Sequence, residues 1–203
     1  MDKIVFATGN AGKMKEIKEI MDDLKVPVLS MKEAGLELEI EENGSTFEEN
    51  AVIKAKAVAA AAASTDEGIV VLADDSGLEV DYLNKEPGVY SARYMGEDTS
   101  YRIKNQSLID RLEGVPDEKR TARFVCVIAA VLPDGDVVTT RGVIEGKIGY
   151  EERGANGFGY DPIFYLPDMS RSTAELMPEE KNNISHRGNA LRAMKEELKT
   201  RHI

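Results

Sequence analysis

The chain opens with a short apolar run, Lys3 to Thr8, which breaks at Gly9 and reads as a first strand. Met14, Ile17, Ile20, Met21 and Leu24 then recur at helical spacing. Val26 to Leu29 predicts a second strand, and the alternation Leu36-Glu-Leu-Glu-Ile40 predicts a third with one wet face. A polar turn, Glu41 to Gly44, leads to Ser45 or Thr46 as the cap of a helix, with Glu48 or Glu49 closing a capping box. That helix runs to about Ala63 and buries Phe47, Ala51, Ala55, Val58 and Ala62. Ile69 to Ala73 is an apolar run of the kind buried on both faces, and it meets two carboxylates, Asp74 and Asp75, then Ser76 and Gly77. Leu78 to Leu83 reads as a further extended piece. Pro87-Gly88 turns into an aromatic, basic loop, Val89 to Tyr94. Tyr101 to Leu112 has helical spacing, with Asp98 or Thr99 as its cap. Thr121 to Leu132, the turn Pro133-Asp-Gly135 and Val137 to Ile148 predict a long hairpin, with Gly142 and Gly146 at bulges or bends. After a short strand, Ile163 to Tyr165, Ser185 caps a last helix that faces Leu191, Met194 and Leu198 inward.

Strands alternating with helices point to an α/β fold, and 203 residues fit one domain, or one domain in two lobes. With 42% apolar and 31% charged residues the chain can bury an ordinary globular core. The net charge of −11 argues against general DNA or RNA binding, and an anionic ligand would need local cations or a metal. Cys126 is the single cysteine, so no internal disulfide forms, which fits a reducing compartment. It lies in an apolar strand without a histidine nearby and reads as core. No signal-like segment and no apolar run near the length of a membrane span occurs, so the expected location is the cytoplasm, with no membrane partner.

Four stretches carry candidate chemistry. Thr8-Gly-Asn-Ala-Gly-Lys13 joins strand to helix and places a lysine at a helix start, where backbone N–H groups favour phosphate; a plain tight turn remains the other reading. The spacing fits neither a Walker A loop nor the dinucleotide glycine fingerprint. Asp74 and Asp75 ask for a compensating cation such as a divalent metal, or else form a turn with Ser76 and Gly77. The glycine-rich Gly154 to Pro162 brings backbone close to a flat ligand, with Phe158 or Tyr160 able to stack on a base; a hairpin with core aromatics is the alternative. His186 and Arg187 start the last helix and offer an anion or acceptor site. His202, the other histidine, sits in a tail expected to fray, and no His/Cys cluster for zinc exists. By composition alone, Lys54 and Lys56 belong on a solvated face.

Taken together, TGNAGK, EENGSTFEENAVIKAKA, ADDSGLEV with PGVYSARY, GANGFGYDPIF and ELMPEEKNNISHRG resemble, in this order and spacing, the inosine triphosphate pyrophosphatase family. The resemblance covers nearly the whole chain. It implies an elongated mixed sheet flanked by helices, in two lobes with a central nucleotide-binding cleft, Mg²⁺ as cofactor, and a homodimer. It implies hydrolysis of ITP, dITP and XTP to the nucleoside monophosphate and pyrophosphate, cleansing the nucleotide pool. By residue, it places the triphosphate on Thr8, Gly9, Asn10, Ala11, Gly12 and Lys13, with Lys54 as a further phosphate contact. Glu41 and Asp75 would hold the metal, Asp75 would accept the proton of the attacking water, and Ser76 would touch the substrate. Phe158, Gly159, Tyr160 and Asp161 would form the base and sugar pocket, and Lys181, His186 and Arg187 would read the purine. Three alternatives remain: a sensor that binds nucleotide without cleaving it, a relative preferring modified or pyrimidine nucleotides, and a glycosidase using Glu41 and Asp75 as paired carboxylates.

Overall fold

The structure is a computed structural model; it describes residues 2–62, 68–167 and 171–201. Ala63 and His202, named above, lie outside the described residues. A six-stranded sheet has the order β2-β1-β3-β4-β5-β6. Its strands are β1 (Lys3–Phe6), β2 (Val28–Ser30), β3 (Ile69–Val80), β4 (Thr121–Val131), β5 (Val137–Ile148) and β6 (Phe164–Tyr165). The helices are α1 (Ala11–Met21), α2 (Phe47–Ala62), α3 (Tyr101–Arg111), α4 (Pro178–Ile184) and α5 (His186–Thr200). β1 runs parallel to β2 and β3, while β5 and β6 are antiparallel, so the sheet is mixed. The parallel strands require crossovers, and α1 and α2 supply them.

The chain divides into two compact units. The first comprises residues 1–75, 126–142 and 187–203. Its core joins Ile4 and Phe6 of β1, Ile17 of α1, Leu72 of β3, Ile128 of β4 and Leu191 of α5. Cys126 is buried there, and burial pushes its thiol up to about 12, consistent with a packing role. Its long hairpin turns at Gly135, whose φ of 90° suits glycine. The second unit comprises residues 76–125 and 143–186. Leu78, Leu108, Leu112, Phe124 and Phe164 form its core. Arg120 is fully buried in it and donates to the carbonyls of Leu112, Ile148 and Gly149, at 2.7, 2.8 and 2.7 Å. Gly146 is required for a close approach, since a Cβ there would sit 2.5 Å from the Phe164 ring.

Several expectations change. No turn interrupts Asp74 to Gly77; β3 passes straight through and ends at Val80, followed by a single 3-10 turn at Asp81–Leu83. Leu36 to Ile40 is not a strand, and Leu38 is exposed; alternation alone makes no strand without a partner for its backbone groups. Pro178–Ile184 forms a helix that periodicity did not reveal, with the Glu180 side chain accepting from the Met177 N–H at 3.0 Å. α3 follows Ser100 rather than an Asp98 or Thr99 cap. Thr46 accepts from the Glu49 N–H at 3.1 Å, which decides the cap of α2, while the Glu49 carboxylate reaches Ser45.

Candidate active site

In the first unit, period 2 along β3 sends Asp74 and Asp75 to opposite faces, and each meets its own cations. Asp74 is 1% exposed and takes Lys13 Nζ of α1 at 2.9 and 3.1 Å, with Arg187 Nε of α5 at 3.5 Å. Burial would raise its pKa, but attraction by Lys13, Arg187 and Lys54 outweighs burial and holds it well below the carboxylate range. Arg187 is itself buried and donates to Glu16 at 2.9 Å. The repulsion expected between neighbouring aspartates is therefore largely met by side chains.

Asp75 faces α2. Asn50 Nδ2 donates to it at 3.1 Å, and Lys54 Nζ lies 3.8 Å away and 3.2 Å from Glu42. Here burial wins: together with the neighbouring Glu42 and Asp74 it raises the Asp75 pKa to about 6, against the pull of Lys54 and Asn50. Lys54 is mostly buried rather than on a solvated face. Asn50 was not singled out from the sequence, although its spacing of four from Lys54 places both on one side of α2. It is fully buried, and its Oδ1 accepts from the Gly44 N–H at 2.8 Å. A Cβ at Gly44 would sit 2.7 Å from that oxygen, so the loop carrying Glu41 and Glu42 closes onto α2 only with glycine there. Glu41 is exposed and makes no ion pair among the described residues; Glu42 is the acid placed beside Lys54.

The loop from β1 into α1 is held by its own side chains. Thr8 Oγ1 accepts from the Asn10 N–H at 3.2 Å, and Asn10 Oδ1 accepts from the Lys13 N–H at 3.1 Å, capping α1. Thr8 is nearly buried, Gly9 and Asn10 are exposed, and Ala11 and Gly12 open the helix. No acidic residue lies in that first turn, so the positive end of the helix is uncompensated by its own side chains.

In the second unit, Asp161 organises the glycine-rich loop. Its Oδ2 accepts from Lys181 Nζ at 2.5 Å and from the Phe158 N–H at 2.9 Å, and its Oδ1 accepts from Thr173 Oγ1 at 2.8 Å. Lys181 Nζ also lies 5.1 Å from the centroid of the half-exposed Phe158 ring. Tyr160 is buried and donates to the Ser91 carbonyl at 2.7 Å; burial raises its pKa and keeps the hydroxyl a donor. Gly157 and Gly159 adopt φ of 75° and 68°, the left-handed region that favours glycine. His186 stacks on Phe124, with centroids 4.9 Å apart. Ser76 is partly buried on β3, next to Asp75. The structure thus places Lys13 and Arg187 against Asp74 and Lys54 against Asp75 in the first unit, and joins Phe158, Asp161 and Lys181 in one cluster of the second. Arg187, expected beside the purine, has its guanidinium against Asp74 and Glu16.

The model of the Ham1 family matches residues 4–197. The chain belongs to the Ham1 family. A Clostridium perfringens protein named dITP/XTP pyrophosphatase is 46% identical over 200 residues, covering 98% of each chain. Among solved Ham1 structures, the protein from Coxiella burnetii aligns with a TM-score of 0.88 at 43% identity, over 98% of this chain and 100% of its own. The Staphylococcus aureus Ham1 protein aligns at 0.86 and 42% identity, over 98% and 99%.

Proposed function

We propose that this chain hydrolyses ITP, dITP and XTP to the nucleoside monophosphate and pyrophosphate. The observation that carries the reading is Asp75, a buried carboxylate raised to about 6 and held between Asn50 and Lys54. A general base works best with a pKa near the operating pH, and Asp75 is closer to it than an ordinary aspartate. Water attacks the α-phosphorus, its proton passes to Asp75, and the bond from the α-phosphorus to the pyrophosphate oxygen breaks. The loop from Thr8 to Lys13 takes the polyphosphate on helix N–H groups. Lys13 and Lys54 offset its charge in a protein of net −11.

The donors fit a hard cation. Among the described residues no three His, Cys, Asp or Glu side chains group as a metal site, but Mg²⁺ commonly takes one or two carboxylates and completes its shell with phosphates and water. Asp75 with Glu41 or Glu42 would hold it, and a cation there would offset the cost of ionising a buried carboxylate. When bound, Mg²⁺ would neutralise phosphate charge and polarise the reacting groups.

Phe158 with Lys181 offers a ring and an ammonium to the base, and Tyr160 and Asp161 fix their loop. Donors at the base welcome the O6 acceptor of hypoxanthine and xanthine and are left unpaired opposite the N6 donor of adenine. With Arg187 engaged by Asp74, reading O6 falls to Lys181, His186 and loop N–H groups. We further infer a homodimer in the cytoplasm. Among the described residues no helix is long and apolar enough to cross a membrane.

The test incubates the protein with Mg²⁺ and ITP, XTP, GTP or ATP and separates pyrophosphate from orthophosphate. Pyrophosphate from ITP and XTP, with little from ATP, is expected. Orthophosphate would mean attack at the γ-phosphorus, and tight ITP binding without turnover would favour a sensor.

A further inference from the structure

Lys104 of α3 is 1% exposed, and among the described residues no carboxylate pairs with it. A buried ammonium without a counter-charge is costly, and methionine would fill similar volume without that cost. What the ammonium adds is specific. It donates to the Ala92 carbonyl at 2.6 Å and lies 5.0 Å from the centroid of the Tyr101 ring. Tyr101 meets Tyr160 edge to face, with centroids 5.3 Å apart at 89°. Tyr160 in turn donates to the carbonyl of Ser91, the residue before Ala92. Two successive carbonyls of one loop are thus anchored, one from α3 and one from the glycine-rich loop, with Tyr101 packed between the anchors. Next to Lys104, Asn105 Nδ2 donates to the Gly159 carbonyl at 3.3 Å and to Glu152 at 2.7 Å. Among the described residues its Oδ1 is buried with no hydrogen-bond partner, so the fold tolerates an unmet acceptor while that amide faces the loop.

We propose that Lys104 is a positioning residue for base recognition, holding the Ser91–Ala92 backbone and, through Tyr101, the Tyr160 ring, and so presenting the neighbouring Phe158 to the purine. This rests on Phe158 to Asp161 being the base pocket. Lys104 itself touches neither the substrate nor the reacting atoms.

The test measures ITP affinity in chelator and steady-state turnover in Mg²⁺ for wild type, Lys104→Met and Lys104→Gln, with inorganic tripolyphosphate as a baseless probe. For Lys104→Met, Kd and KM for ITP rise about tenfold, kcat stays within about twofold, and tripolyphosphate affinity is unchanged. Lys104→Gln, which keeps a donor for the Ala92 carbonyl, recovers most of the loss. Unchanged ITP affinity in Lys104→Met, or an equal loss for tripolyphosphate, overturns the proposal. If Lys104→Met does not fold, Tyr101→Leu, which removes the ring between Lys104 and Tyr160, carries the test: the same loss confined to ITP is expected, and unchanged ITP affinity overturns the proposal. Wild type that binds ITP without cleaving it overturns the reaction proposed above and leaves the clamp to be judged on the binding ratios; wild type that does neither overturns both.

Discussion

Asp74 and Asp75 are adjacent and chemically identical, yet their environments drive them apart. Asp74 meets Lys13 and Arg187 and stays ionised well below the usual range, whereas Asp75 is buried with less compensation and rises to about 6. For Asp75 the folded chain binds a proton more tightly than the unfolded chain, so its ionisation destabilises the fold. The penalty is absent below the ordinary aspartate value of 3.8, grows as pH rises towards about 6, and is complete above it. A shift of this size is on the order of 3 kcal/mol. Asp75→Asn should therefore lose most pyrophosphatase activity while melting higher than wild type at pH 7, with the gap closing near pH 4. Paired activity assays and melting curves across pH check this, and near-normal turnover would remove Asp75 from its role. Asp74 has the opposite sign, contributing stability above 3.8 that is lost as pH falls. Arg187→Ala, which leaves Asp74 with less compensation, should cost about 3–5 kcal/mol in urea unfolding.

At the level of elements, two short pieces of backbone set the geometry. The α1 cap rests on Asn10, and Asn10→Ala should cost about 1 kcal/mol of stability, read by denaturant titration. The same change should raise KM for ITP, because the loop that presents helix N–H groups loses its anchor. In the glycine-rich loop, Gly157 combines a positive φ with a position where a Cβ would collide with the Asp161 carboxylate. Gly157→Ala should displace Asp161 and Lys181, raising KM for ITP severalfold while the melting temperature changes little, since the loop is largely exposed. An unchanged KM would show that the loop does not shape the base pocket.

For the whole molecule, the decisive quantity is charge. A protein of net −11 binding a polyphosphate depends on a few local cations and on any metal it recruits. A non-hydrolysable ITP analogue with Mg²⁺ should raise the melting temperature, by the equivalent of about 2.7 kcal/mol at a hundred times its Kd. The matching ATP analogue should shift it far less, and chelator should remove most of the ITP effect. Equal shifts from both analogues would count against base selection by Phe158 and Lys181.

Much of this was legible in the chain itself. The apolar stripe of α2, the hairpin of β4 and β5, and the inward face of α5 follow from spacing, because burial of a face leaves a period in the sequence. The strand–Gly–helix loop ending in Lys13 was equally plain, and the ordered motifs carried the family. What spacing leaves undetermined is which charges meet. Lys54 looks like a surface lysine until Glu42 and Asp75 close over it, and Asn50 looks like part of a stripe until its amide reaches Asp75. The Asp74–Asp75 pair suggested a turn or a metal; only the two faces of β3, with Lys13 and Arg187 on one and Lys54 and Asn50 on the other, distinguish the two carboxylates. The chain's local pattern determined its elements because burial is periodic. Tertiary structure decided the electrostatics because a pKa depends on neighbours that, like Lys13, Asp74 and Arg187, lie far apart in sequence.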